Sequence, residues 1–215
     1  MRFDHGIDKK YRKSVEDAFD TILEKGTDEQ RRIATAILKS NMQVRVKPVS
    51  EINASGITGL IDPSSTNERI EDEILSLREA LGEVYIAIAE ETIDTGGQQG
   101  CEGTFVHEGR HAYDFAQTIV SFSEAEMNPL GIFDPTLYEL EYEAHRTSGE
   151  YLLQIDQPSY QDEGIGLMIL GRKEDNGPCF VDSDGICTRL SQSYGLAADA
   201  NQGPRASELL GLSYK

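Results

Sequence analysis

The feature that most restricts this chain is the segment Thr104-Phe105-Val106-His107-Glu108-Gly109-Arg110-His111-Ala112-Tyr113-Asp114. His107 and His111 are two of only four histidines in 215 residues. Residues four apart share one face of an α-helix, with Cβ atoms about 6 Å apart. Phe105, Ala112, Ala116 and Ile119 add an apolar stripe at helical spacing, which predicts a helix from about Thr104 to Val120. Two imidazoles so placed can reach one zinc ion at bond lengths of roughly 2.0–2.1 Å. Glu108 follows the first histidine and is rotated around the helix. It can stand beside such an ion without binding it, the position of a general base acting on a metal-polarised water.

The rest of the chain reads as helices around a few strands. Tyr11 to Lys25 carries Val15, Ala18, Phe19 and Ile22 at helical spacing and stops at Gly26. Thr27-Asp28-Glu29-Gln30 is a capping box opening a second helix, to about Leu38. Met42 to Val49 alternates apolar and basic residues, a strand signal. A short strand is expected at Ile57 to Ile61, ended by Asp62-Pro63, then a helix from Ile70 to Leu81. Val84 to Ile93 reads as the clearest strand and Asp94 to Gly103 as a Gly/Gln loop. Asp134 as N-cap with Pro135 in the first turn predicts a helix over about Thr136 to Leu153. Beyond it one apolar element is expected near Ile165 to Leu170, then a turn or hairpin at Asp184-Gly185. Organisation as one domain, 1–215, follows: N-terminal helices (1–40), sheet and histidine helix (42–122), glutamate helix (134–157) and a C-terminal extension (158–215).

A catalytic zinc needs a third protein ligand and an open position. Glu139, Glu141 and Glu143 lie on the downstream helix, and residues two apart point to nearly opposite sides. Glu141 borders the stripe of Leu137, Leu140, Ala144 and Thr147, and the small Ala144 permits close approach, so Glu141 is favoured over Glu143. His145 shares Glu141's face, as an extra ligand, a transition-state donor or a bystander. Asp114 reads either as an acceptor for an imidazole N–H or as a surface acid. Tyr142, Tyr151, His145 and Arg146 are the candidate donors to a developing oxyanion, and none stands out.

His107-Glu108-Gly109-Arg110-His111 followed by Glu141-Tyr142-Glu143-Ala144 resembles the gluzincin group of zinc metallopeptidases. The likeness spans about Val84 to Tyr151. It implies an α+β, zincin-like fold: a mixed twisted sheet whose edge strand lies above the metal helix, the glutamate helix below, and mostly helix elsewhere. It also implies peptide-bond hydrolysis, with His107, His111 and Glu141 as zinc ligands and Glu108 as base. One departure stands out. Many gluzincins carry an acid four residues after the ligand glutamate, where this chain has His145. By this reading Val84 to Ile93 could take an extended substrate by strand addition. The alternatives are a zincin-like binding module that does not cleave, and a toxin or effector domain cut from a larger protein.

Composition sets the partners expected. The net charge of −18, from 20 basic against 38 acidic residues, argues against nucleic acid and anionic membrane surfaces and favours a peptide or protein substrate, if anything a basic one. No apolar run approaches a membrane span, and Met1 to His5 has no signal-peptide character. A chain complete at Met1 is expected in the cytoplasm, and one excised from a larger protein in a secreted or delivered setting. Cys179 and Cys187 flank a turn-like segment as either a closed loop or two thiols, and Cys101 reads as a buried inert thiol. Asp182-Ser183-Asp184-Gly185 lacks the later acid of a calcium loop. Oligomeric state is not legible.

Overall fold

The computed structural model describes residues 1–174 and 177–213. In chain order it runs β1 (Arg2–Phe3), α1 (Lys9–Lys25), α2 (Asp28–Lys39), β2 (Gln43–Lys47), α3 (Val49–Ile52), β3 (Gly56–Leu60), α4 (Pro63–Asp72), α5 (Leu77–Glu83), β4 (Val84–Ala89) and α6 (Glu90–Ser123). There follow α7 (Leu137–Ile155), α8 (Pro158–Gly166), β5 (Leu170–Arg172), β6 (Cys179–Val181), α9 (Ser183–Arg189), a π-helical turn (Leu190–Tyr194) and α10 (Ala206–Leu210). The class is α+β, with a small mixed sheet among many helices.

The sheet has the order β1-β2-β4-β3. β2 runs parallel to β4, pairing Val44 with Ile86 and Val46 with Ile88, and β3 runs antiparallel to it, pairing Thr58 with Ile86. β4 therefore lies in the sheet interior, and its near-continuous apolar sequence matches burial on both faces. This corrects the expectation that the Val84 segment is open to strand addition, since both its edges are paired. The strand with a free edge beside the histidine helix is β3.

The histidine helix is longer than expected. β4 ends at Ala89 and α6 starts at Glu90, so most of the anticipated Gly/Gln loop is helical, interrupted at Gly97, whose φ of 58° breaks the run. Glycine takes that backbone conformation without the steric cost of a Cβ. Two other boundaries differ for local reasons. The single helix expected over 70–81 is two, because Asp62 and Pro63 start α4 early while a Ser76/Glu79 capping box restarts the chain as α5. The glutamate helix is capped by Thr136 with Glu139 rather than by Asp134. Asp134 accepts instead from the Ser207 N–H and hydroxyl.

Beyond α7, the apolar segment expected as one element is shared between the end of α8 and the start of β5, and Asp184-Gly185 lies in α9 under an Asp182 cap. All three cysteines are free thiols. No helix among the described residues is long and apolar enough to cross a membrane.

α6 is the axis of the core. Phe19 of α1 meets Phe105 edge-on at 4.3 Å, and Ala112, Ala116 and Ile119 are fully buried. Gln30 of α2 donates to the Thr147 carbonyl of α7 at 2.8 Å. Glu102, 2% exposed, accepts at one oxygen from the phenols of Tyr151 (2.8 Å) and Tyr160 (2.9 Å), tying α7 and α8 to α6. A buried carboxylate left short of donors is costly, and a hydrogen bond to a charged group contributes about 1.5–3 kcal/mol. Tyr151→Phe is accordingly expected to destabilise the fold by about 1–3 kcal/mol, read as a lowered urea midpoint by circular dichroism. An unchanged midpoint would show that the phenol contributes nothing.

Candidate metal centre

α6 and α7 pack against each other and bring three side chains to one point. His107 Nε2 and His111 Nε2 are 3.1 Å apart. Glu141 places Oε2 3.4 Å from His107 Nε2 and Oε1 3.5 Å from His111 Nε2. His107, His111 and Glu141 form a group able to hold a metal ion. Tetrahedral bonds of about 2.0–2.1 Å place neighbouring donors roughly 3.3–3.4 Å apart; the two imidazole–carboxylate spacings involve different oxygens of Glu141, and one atom from each residue gives a set that lies within 4.8 Å.

The environment of the donors fits an ion as well. Two ring nitrogens facing each other at hydrogen-bond distance must share a proton or oppose their lone pairs. Glu141 Oε2 is buried and has no hydrogen-bond partner, a costly state for a carboxylate oxygen that ligation would relieve. Burial opposes ionisation of Glu141, but the close approach of His107 and His111 outweighs it and holds the carboxyl well below its usual range. Burial likewise opposes charging of His111, yet Glu141 beside it raises the imidazole above its ordinary value. The neighbouring glutamates are engaged elsewhere: Glu139 caps its helix, and Glu143 receives two N–H groups of Arg146.

Glu108 lies under the edge strand. The Thr58 hydroxyl of β3 donates to Glu108 Oε2 at 2.6 Å. A Cβ on Gly56 would stand 2.8 Å from Glu108 Cγ and 2.6 Å from Thr104 Cγ2, so β3 can cross the helix this closely only where it has glycine. No signal in the sequence singles out Thr58, which sits in a five-residue strand with little patterning.

The other expected residues divide. His145 is 5% exposed and its ring lies 4.8 Å from that of His107, but its Nε2 is 3.9 Å from Glu141 Oε2 and it stands outside the three-donor group. Its Nε2 receives Arg189 Nε at 3.4 Å and lies 3.3 Å from the Tyr194 hydroxyl. Burial, then the nearby His107, push its pKa down to about 3, so the ring is neutral. Burial and then Glu141 push the Tyr194 phenol up to about 12, leaving it a donor.

Asp114 does not pair with an imidazole. Its Oδ2 takes Arg110 Nε at 2.8 Å, while its Oδ1 and His111 Nδ1 are both buried without partners. Tyr142 stacks on Tyr138, Tyr151 is bound to Glu102, and Arg146 belongs to a charged network with Glu29, Glu143 and Glu150. Burial, then Glu102, push the Cys101 thiol up to about 12, as expected of an inert cysteine.

A cavity of about 440 Å³ adjoins His107 and Glu108 and includes His145, Arg189 and Tyr194 in its lining. The segment anticipated as an extension thus supplies part of the cavity wall. Comparison of the chain with protein-family models, with curated proteins and with solved structures returned no match.

Metal content measured by elemental mass spectrometry after incubation with zinc is expected at about one ion per chain. It should be lost in His111→Ala and in Glu141→Gln and retained in Glu108→Gln. Equal zinc in all four proteins would place the ion elsewhere.

Proposed function

We propose that this protein is a zinc-dependent peptidase, with His107, His111 and Glu141 holding the metal and Glu108 as general base. The observation that carries the reading is the meeting of two imidazoles and a buried, unpartnered carboxylate oxygen beside a second, non-ligating carboxylate at a cavity mouth. The choice of zinc rests on the donor set: two neutral nitrogens and one carboxylate oxygen, as in hydrolytic zinc sites with an open position. The resemblance to gluzincins points the same way, and with it a zincin-like arrangement of edge strand, metal helix and glutamate helix.

Bound zinc would supply Lewis acidity, polarising the scissile carbonyl and making water a better nucleophile at neutral pH. Glu108 accepts a proton from the attacking water and delivers it to the leaving amine nitrogen, so the carboxylate is regenerated at the end of the cycle. Thr58 fixes the carboxylate for that task through its 2.6 Å hydrogen bond. Tyr194, a neutral phenol in the cavity wall, is placed to donate to the oxygen that gains charge as the carbonyl is attacked. His145 orients Tyr194 rather than exchanging protons itself. The free edge of β3 offers backbone hydrogen bonds to an extended peptide.

A second reading, a binding module that holds metal without cleaving, is disfavoured by Glu108, whose placement under Thr58 serves no ligand role. Two outcomes test the assignment. Glu108→Gln is expected to keep its zinc and lose cleavage of a quenched-fluorescent peptide library by about 10²–10⁴-fold, and mutant turnover equal to wild type would sink the role of the base. Thr58→Val should lower kcat by about 10- to 100-fold with little change in KM, the equivalent of losing one hydrogen bond to a charged group. A change confined to KM would make Thr58 a substrate contact instead.

A further inference from the structure

Arg189 has a setting unlike that of the other cations near the site. Among the described residues it is the only lysine or arginine lining the cavity beside the candidate metal group, and none of their carboxylates lies within ion-pair distance of it. A chain with 38 acidic and 20 basic residues offers partners freely. Arg110 and Arg146, behind the metal helix, are both paired with glutamates. Three acids share the cavity lining with Arg189, yet each accepts a hydrogen bond from elsewhere: Glu91 from the Val49 N–H at 2.7 Å, Glu108 from the Thr58 hydroxyl at 2.6 Å, and Glu163 from Gln99.

The contacts Arg189 does make are long. Nε reaches His145 Nε2 at 3.4 Å and Nη1 reaches the Leu167 carbonyl at 3.3 Å. Both exceed the usual 2.9–3.0 Å for such bonds. A guanidinium has five N–H donors in a planar fork, so three of them find no partner among the described residues. The two that are used fix the plane of the fork against the cavity wall. The π-helical turn that follows, closed by Gly195 in the left-handed conformation, brings the Tyr194 hydroxyl to the same ring nitrogen. One Nε2 lone pair cannot fully satisfy two donors. Arg189 and Tyr194 therefore form a donor pair with unused capacity.

We propose that Arg189 is a specificity-determining residue that binds a carboxylate of the substrate, close to the bond that the proposed peptidase cleaves. This inference rests on the peptidase reading and adds the substrate class: a peptide with either its C-terminal carboxylate or an acidic side chain within about one residue of the scissile bond. The planar fork matches a carboxylate through two parallel N–H···O bonds, which a carbonyl oxygen cannot use in full. The overall charge of −18 acts at long range and favours approach of basic proteins, whereas Arg189 acts at contact. The two select different features of one substrate, a basic body and a carboxylate at the cleavage point.

The test uses three short peptide hydroxamates of equal length on zinc-loaded protein. One has every carboxyl amidated, one a free C-terminal carboxylate, and one an amidated terminus with an aspartate side chain. Binding is measured by isothermal titration calorimetry to wild type, Arg189→Gln and Arg189→Lys, each first shown to melt cooperatively. One of the acidic probes is expected to bind wild type about 10- to 100-fold more tightly than the neutral probe, and which one it is identifies the source of the carboxylate. Arg189→Gln should abolish that preference without weakening the neutral probe, and Arg189→Lys should restore part of it. Equal binding of all three probes to wild type would overturn the proposal, as would a preference that survives in Arg189→Gln. Failure of even the neutral hydroxamate to bind would overturn the metallopeptidase reading itself, and the inference with it.

Discussion

Everything near the site follows from the cost of keeping ionisable groups inside a protein. His111, Glu108 and Glu141 are held in or beside the main core, and α6 carries its histidines on a helix whose other residues build that core. Charges in such places must be paired or ligated. The molecule separates the two solutions by side of the helix. On one side Arg110 and Arg146 neutralise Glu29, Asp114 and Glu143 through direct ion pairs. On the other, two imidazoles and Glu141 face each other with an oxygen left over. The first arrangement is complete as it stands, and the second has the donors to hold a cation.

The sheet contributes by distance rather than by chemistry. β4 is sealed between β2 and β3, so the sheet is anchored in the core while its antiparallel edge lies on the helix. Gly56 lets that edge come near enough for the next residue on the same face, Thr58, to reach the Glu108 carboxylate. A side chain at position 56 would force the strand and helix apart and remove the Thr58–Glu108 hydrogen bond.

The parts of this arrangement visible in the sequence are those encoded by short-range spacing. The i,i+4 histidines, the glutamate between them and the stripe of Phe105, Ala112, Ala116 and Ile119 placed α6 correctly in register. The choice of Glu141 over its neighbours followed from the small Ala144 and from two-residue geometry, and Glu141 is the carboxylate that meets the histidines. Element ends were less legible. A capping box at Thr136 outcompeted the more obvious Asp134-Pro135 signal, and one at Ser76 split the single helix expected over 70–81, because a reciprocal side-chain cap satisfies two backbone donors. Glycines between 96 and 103 suggested a loop where the helix continues, since a single left-handed residue at Gly97 absorbs the whole irregularity. Thr58, Arg189 and Tyr194 carry no local signature. Each reaches the site only through pairing across the sheet or through the β5–β6 hairpin, contacts that no window along the chain contains.

The order of these pieces along the chain bears on what each contributes. His107, His111 and Glu141 all precede the end of α7 at Ile155, whereas Arg189 and Tyr194 come after the hairpin. Domains generally fold as units, so the candidate ligand set and the cavity wall made from later residues take shape together rather than in sequence. On the proposed reading, a chain cut after Ile155 would keep all three candidate ligands and lack the wall that Arg189 and Tyr194 supply. Such a fragment would be a chelator without discrimination, and the C-terminal segment is what would turn ion binding into recognition.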